Sequence, residues 1–387
     1  MLYRNFGKTN EQVSVLGFGC MRLPLVSTDP SQIDEEKAIK MIRHAIDQGV
    51  NYIDTAYPYH GTGMASAGES EPFLAKALKD GYRERVKLAT KLPSWLIKTR
   101  EDMDKYLNEQ LERLGTKQID FYLIHSLNAT SWPKLEALGV RQFLDQAIQD
   151  GRIKYAGFSF HDRVNLFKQI VDAYDWSFCL IQYNYLDENY QAGKEGLQYA
   201  ASKGLGIAIM EPLRGGKLVN NLPDEALQTF NQGDSQRRPA EWALRWVWNH
   251  PEVSVVLSGM TTMEQVLENI KIAQAGQANS LSAKELNIIE QVKHAYKARV
   301  KVDCTNCGYC MPCPYGVNIP VNFARYNDYF RFGKADTKEE HRKLYSAWVK
   351  PEHRAVNCKA CEKCESHCPQ GIKIVKELKN VQEFFQI

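Results

Sequence analysis

Two groups of residues could do chemistry in this sequence. The first is a set of eight cysteines at ligand spacing. Cys304, Cys307, Cys310 and Cys313 form a C-x2-C-x2-C-x2-C run followed by Pro314. Cys358, Cys361, Cys364 and Cys368 form a C-x2-C-x2-C-x3-C run followed by Pro369. The x2 spacing lets three thiolates converge from one loop on one face of a cubane. The second run matches the C-x2-C-x2-C-x3-C-P pattern of two-cluster iron–sulfur proteins. In such pairs the fourth cysteine of each run ligates the other cluster. That logic gives one [4Fe–4S] cluster Cys304, Cys307, Cys310 and Cys368, and the other Cys358, Cys361, Cys364 and Cys313. The first run is one residue shorter before its fourth cysteine, which bears on the cross-ligation by Cys313. A zinc ion held by four cysteines is the competing chemistry; three consecutive x2 gaps ahead of Cys-Pro favour iron and sulfide. The remaining two cysteines, Cys20 and Cys179, stand alone and read as core-lining thiols.

The second group is Asp54, Tyr59, Lys91 and His125. Singly, each has a structural explanation: Asp54 can cap a turn, Lys91 can lay its stem along apolar surface, and a strand-end histidine is commonly a satisfied core group. Together they fall at or just after the ends of three successive apolar runs, which points to a site.

The elements that would position them alternate regularly. Short β-rich apolar runs cover residues 13–19, 51–55, 86–91, 119–125, 153–159, 178–183, 205–210 and 253–257. Helical periodicity follows over 35–48, 69–79, 100–114, 140–149, 164–173, 194–202, 239–248 and 263–275. Eight strand–helix units predict an α/β fold that closes as a (β/α)8 TIM barrel, whose functional residues gather at the strand C-terminal ends. An open doubly wound sheet normally carries G-x-G-x-x-G after its first strand. Here Gly17-Phe-Gly-Cys-Met-Arg22 lacks the third glycine and leads into no helix. Ser282-x-x-Glu285 has the form of a capping box opening one more helix, after which the composition shifts to the cysteine-rich tail. The expected domains are 1–285, the barrel, and 286–387, a linker helix with a small dicluster ferredoxin-like domain.

Composition narrows the function classes. Hydrophobic residues make up 44% and charged residues 25% of the 387, which excludes a largely disordered chain or a fibrous rod. A net charge of +3 is too small to suggest nucleic acid as the main partner. No apolar run reaches the ~18–20 residues of a membrane helix, and residues 1–12 hold no signal-peptide stretch. A cytoplasmic protein without membrane attachment is the expectation.

With these residues in view, the sequence resembles the aldo-keto reductases. Asp54-Thr-Ala-Tyr-Pro-Tyr59 is similar to that family's Asp-Thr-Ala-x-x-Tyr, Lys91 to its strand-end lysine, and Leu123-Ile124-His125 to its Leu-x-His. The tail resembles the branch carrying an appended 4Fe–4S ferredoxin-type domain. The resemblance implies that Tyr59 is the general acid, Lys91 its activator, Asp54 the partner of Lys91, and His125 the residue that orients a substrate carbonyl. Elementary chemistry agrees. A carbonyl that accepts hydride becomes an alkoxide and needs a proton, and a nearby ammonium lowers a tyrosine's pKa by favouring phenolate.

The resemblance also implies a cofactor, NADP(H) or NAD(H). Gly19, Cys20 and Met21 match the family's loop after the first strand, and Ser159 and Gln182 its carboxamide contacts, with Phe160 where the family has Asn. Met210, followed by Glu211, takes the place of the aromatic that stacks on nicotinamide, and Glu268 and Asn269 match the adenine-contacting pair. The segment Ser258-Gly-Met-Thr-Thr262 carries no cation for a phosphate. Thr261-x-x-Glu264 reads as a capping box whose free N–H groups could attract one, and Arg214 or Lys217 could supply charge instead.

The expected function is therefore reduction of aldehydes or ketones by a nicotinamide cofactor, with two [4Fe–4S] clusters for electron transfer. Hydride carries electrons in pairs and clusters carry them singly, so an electron-transfer flavoprotein or a ferredoxin is the expected partner beside the small carbonyl substrate. The alternative is a nicotinamide-binding redox sensor or docking protein with structural clusters, as in the related potassium-channel beta subunits.

Overall fold

The computed structural model describes residues 1–333 and 337–386. By contacts these form two compact units, 1–215 with 240–281 and 216–239 with 282–387.

The first unit opens with an antiparallel hairpin, β1 (Tyr3–Asn5) and β2 (Gln12–Ser14). The eight apolar runs then fold as β3 (Leu16–Gly19), β4 (Tyr52–Asp54), β5 (Lys87–Leu92), β6 (Ile119–Leu127), β7 (Ile153–Phe160), β8 (Phe178–Gln182), β9 (Gly206–Met210) and β10 (Val255–Gly259). They close into a barrel, β3 to β10 in chain order with β10 returning to β3, every neighbouring pair parallel.

Side chains alternate along a strand, so every second residue points inward. Phe121 and Leu123, Phe178 and Leu180, and Val255 and Leu257 follow that period in one buried cluster, with Tyr52, Ala89 and Ala208. Phe6, between the two hairpin strands, completes it. Its ring lies 5.6 Å from Tyr52, 4.8 Å from Phe121 and 5.3 Å from Phe178. Tyr52 and Phe178 are the first residues of their strands, so the hairpin plugs the N-terminal end of the barrel. Burying a side chain of that size contributes about 1.5–3 kcal/mol, and the plug leaves the opposite end for chemistry.

The second unit packs the helices Asp224–Gly233 and Ala283–Ala298 together, with Gly233 beneath Ile288. Ser282 caps the latter in a capping box with Glu285, as the sequence pattern suggests. A separate core of Val317, Phe323, Tyr345, Leu378 and Phe385 joins the helices Ile319–Phe332, Lys338–Trp348 and Ile374–Phe385. Cys304, Cys310, Cys313, Cys358, Cys364 and Cys368 pack against that core. No helix among the described residues is long and apolar enough to cross a membrane.

Candidate active site and thiol clusters

Asp54 ends β4, Lys91 is the penultimate residue of β5, and His125 lies near the end of β6. Parallel register sets these ends side by side. Lys91 Nζ donates to both carboxylate oxygens of Asp54 at 2.8 Å and to the Thr55 carbonyl at 2.7 Å. Its remaining contact is the Tyr59 hydroxyl at 3.4 Å. The lysine side chain is 1% exposed and that of Asp54 4%, so the ion pair is held out of water. Burial acts to lower the Lys91 ammonium; Asp54 and Tyr59 outweigh it and hold the pKa above its ordinary value.

The structure departs from expectation at Tyr59. Burial pushes its phenol above the usual value, Lys91 acts to lower it, and Asp54 acts to raise it. The net shift is upward because desolvation of a phenolate exceeds the attraction of an ammonium already paired with a carboxylate. Tyr59 is thus held as the neutral acid.

The His125 ring lies 6.3 Å from that of Tyr59 and 5.0 Å from that of Trp95. Burial, then the charges of Lys91 and His161, hold its pKa well below the ordinary value, so the imidazole is neutral. Its Nδ1 is buried and has no hydrogen-bond partner among the described residues. A shift in strand register falls between Ile124 and Leu127, beside His125, where Ser126 takes a φ of 55°. Bulges of this kind re-aim side chains next to active sites. The Ser159 hydroxyl accepts the Ser126 N–H at 2.7 Å and holds the irregularity. Ser159→Ala orphans that N–H, an expected cost of about 1–3 kcal/mol, and is expected to displace His125 and so lower any carbonyl reduction of the kind the sequence resemblance implies. Paired melting curves and rate measurements check this; a variant equal to the parent in both would refute the role.

Tyr59 is set by a network the sequence reading missed. The Glu71 carboxylate, fully buried, accepts from Thr90 Oγ1 at 2.7 Å, Gln110 Nε2 at 2.7 Å and Arg113 Nε at 2.9 Å. Gln110 Nε2 also reaches the Lys91 carbonyl at 3.1 Å, and Arg113 reaches the Gly68 carbonyl. Gly68 touches the Tyr59 loop so closely that a Cβ there would stand 2.0 Å from the Tyr59 carbonyl oxygen. The available signal was polar residues on the buried faces of the helices Ser70–Ala77 and Arg100–Arg113.

The remaining candidates lie at the ends of other barrel strands or, for Glu268 and Asn269, on the helix after β10. Gly19 closes β3; Cys20 behind it is fully buried, its thiol pushed up by burial, and Met21 is exposed. Gln182 Nε2, ending β8, donates to Asp187 Oδ2 at 3.2 Å. Met210, ending β9, packs against the barrel core, and the Glu211 carbonyl accepts from Asn184 Nδ2 at 3.2 Å. Phe160 is buried against Phe167, with ring centroids 5.2 Å apart. Glu268 and Asn269 lie on the helix Met263–Ala273, where Asn269 Nδ2 donates inward to Ser258 Oγ at 2.9 Å. The cap of this helix is Thr262 with Gln265, one residue later than the pattern at Thr261 and Glu264 suggests.

In the second unit the two cysteine runs interleave. Cys307 and Cys368 lie close enough to Cys304 and Cys310 for their charges to raise the pKa of both, and burial lifts Cys310 to about 11. Cys364, also lifted to about 11 by burial, feels Cys358, Cys310 and Cys313. Thiols held protonated must release protons when they bind metal.

Fold and site define a parallel α/β barrel whose polar constellation sits at the strand C-terminal ends, followed by a thiol-rich module. The family model for the Aldo/keto reductase family matches residues 15–294, and that for a 4Fe-4S dicluster domain matches residues 303–372. The chain belongs to the aldo/keto reductase family, a family of oxidoreductases, and carries a C-terminal 4Fe-4S dicluster domain. It is similar to the "Probable aldo-keto reductase 1" of Glycine max, 28% identical over 73% of this chain and 86% of that protein. It is also similar to a "Putative voltage-gated potassium channel subunit beta" of Schizosaccharomyces pombe, 26% identical over 70% of this chain and 88% of that one. The solved holo form of aldo-keto reductase AKR11C1 from Bacillus halodurans superposes with a TM-score of 0.61 at 25% identity. That match covers 76% of this chain and 96% of the solved one.

Proposed function

We propose that this chain reduces an aldehyde or ketone with NADPH or NADH, and that two [4Fe–4S] clusters in its second unit exchange single electrons with a flavoprotein or ferredoxin partner. The observation that carries the reduction is the buried Lys91 ammonium, gripped by both oxygens of Asp54 and 3.4 Å from the Tyr59 hydroxyl.

The residues present fit a dinucleotide. Gly19, Ser159, Gln182 and Met210 lie around one barrel mouth, and the unpaired Nδ1 of His125 is a buried polar atom among them. When bound, the nicotinamide supplies hydride to the carbonyl carbon. Tyr59 delivers the proton to the carbonyl oxygen. Lys91 lies where it stabilises the phenolate left behind, and Asp54 keeps the ammonium from being lost to burial. His125, neutral, donates a hydrogen bond to the same oxygen without adding a like charge beside Lys91. The alkoxide leaves as an alcohol, with one hydride and one proton added.

Two clusters are supported by the nearness of the two runs to each other: Cys304 and Cys310 feel Cys368, and Cys364 feels Cys310 and Cys313. Cys307 and Cys361 complete the two sets. Similarity to a putative channel beta subunit keeps a sensing role as the second reading. One anaerobic preparation tests both proposals. Iron and acid-labile sulfide near eight atoms each per chain, with NAD(P)H oxidation on an aldehyde panel, is the expected result. Stoichiometric zinc without sulfide would reject the clusters; nucleotide binding without turnover on any carbonyl would favour the sensor.

A further inference from the structure

Two buried asparagines of the second unit lie between its two cysteine runs in sequence. Asn322 and Asn327 both belong to the helix Ile319–Phe332 and are 0% and 4% exposed. A separation of five residues turns an α-helix about 140° beyond one full circle, so the two amides leave the helix on different sides. A buried amide offers two N–H donors and two acceptor positions, and leaving them unmade is destabilising. Where these amides direct their bonds is therefore informative.

Asn327 directs its amide to the approach of the first run. Its Oδ1 accepts the N–H groups of Lys301 and Val302 at 3.1 and 3.0 Å, and its Nδ2 donates to the Val302 carbonyl at 2.7 Å. That same carbonyl accepts the N–H of Cys304 at 2.7 Å. Asn322 does the equivalent for the second run. Its Oδ1 accepts the Ala355 N–H at 3.0 Å and the Tyr345 hydroxyl, and its Nδ2 donates to the carbonyls of Asn318 at 2.7 Å and His353 at 2.8 Å. The Ala355 carbonyl in turn accepts the N–H of Cys358 at 3.0 Å. Val302 and Ala355 are themselves buried. In both places one buried residue is gripped by an asparagine and also bonds the backbone of the first cysteine. His353 extends the second node, since its Nδ1 donates to the Gly316 carbonyl at 2.8 Å. Asn322 thus joins the approach to Cys358 with the segment leaving Cys313, the two cysteines that cross-ligation gives to one cluster.

We propose that Asn327 and Asn322 are positioning residues, one for each [4Fe–4S] cluster: Asn327 fixes where the Cys304 run begins and Asn322 where the Cys358 run begins. The assignment rests on the two-cluster reading above. Three thiolates from one short loop must converge on one cubane, and a loop held only by its own turns would have to be ordered as the cluster binds. Fixing the first ligand's backbone from a packed helix removes part of that ordering cost beforehand. Truncating either amide leaves backbone groups of the approach unpaired and releases the loop at its first ligand.

The test uses the full chain prepared anaerobically, with iron and sulfide content and the rate of iron loss to a chelator as readouts. Asn327→Ala is expected to release iron from one cluster about 10-fold or more faster than the parent, while the other cluster keeps the parent's rate. Asn322→Ala should do the reverse. Cys307→Ala and Cys361→Ala, each removing a ligand of one cluster, identify which is affected. Asn327→Ala should add little to Cys307→Ala and should weaken the cluster that remains in Cys361→Ala, with the opposite pattern for Asn322→Ala. Asn327→Asp and Asn322→Asp keep the side chain's size and its acceptor oxygen while losing the N–H donors, so they carry the test if the alanine variants do not fold; the same selectivity at smaller size is expected. If the variants speed loss from both clusters equally, or from neither, the amides serve the fold alone and the assignment is overturned while the two-cluster reading stands. If the parent holds fewer than two clusters, both fall.

Discussion

Tyr59→Phe is expected to remove carbonyl reduction by about 10²–10⁴-fold while nucleotide affinity stays at the parent's level. The substitution deletes one oxygen, the one 3.4 Å from Lys91 Nζ. No second acid stands ready to replace it, since His125 is held neutral and well below its usual pKa and Lys91 is committed to Asp54 and Thr55. The same geometry predicts the parent's pH profile. A phenol raised above its ordinary value near 10 keeps its proton through the neutral range. Reduction should therefore hold level from about pH 6 to 9 and fall only in strong alkali, with an apparent pKa belonging to the coupled Tyr59–Lys91–Asp54 group. Steady-state rates across that range check it. A variant that reduces aldehydes at the parent's rate, or a parent profile that breaks near neutral pH, would show that the proton comes from elsewhere.

Lys91→Met should damage folding and chemistry together. It strands the Asp54 carboxylate, whose side chain is 4% exposed, with its partner gone. Breaking one side of a buried pair costs about 3–5 kcal/mol, enough to lower the melting temperature by roughly 6–10 °C. Reduction should also collapse, because the phenolate formed on proton transfer loses its ammonium. Asp54→Asn added to Lys91→Met separates the two effects. The double variant should recover most of the stability, since no buried charge remains unpaired, and none of the activity. Equal melting of Lys91→Met and the parent would mean the pair is not buried as described.

The strand-end chemistry was legible in the sequence because it is local. An apolar run of five or six residues reports its own strand, and in a parallel barrel the run's end reports which face the next side chain joins. That is how Asp54, Lys91 and His125 come to neighbouring positions without further information. The cysteine runs were legible for the same reason, their x2 spacing being a property of one loop. The hairpin β1–β2 was not, since three-residue strands carry no readable period, and its role depends on Phe6 meeting Tyr52, Phe121 and Phe178. The cap at Thr262 rather than Thr261 turns on backbone geometry that two adjacent threonines leave open.

By itself, then, the sequence determined the alternation that closes the barrel, the grouping of Tyr59, Lys91 and Asp54 at its mouth and the thiol spacing of the second unit. Only the tertiary structure decided how those groups are held. It joined Glu71 to Gln110 and Arg113 behind Tyr59, and placed a bulge pinned by Ser159 beside His125. It also assigned residues 216–239 to the second unit. The physical reason is range. Periodicity and spacing encode contacts within a few residues, whereas burial, pairing and free space around a charge arise between segments tens to hundreds of residues apart, and exist only once the barrel has closed.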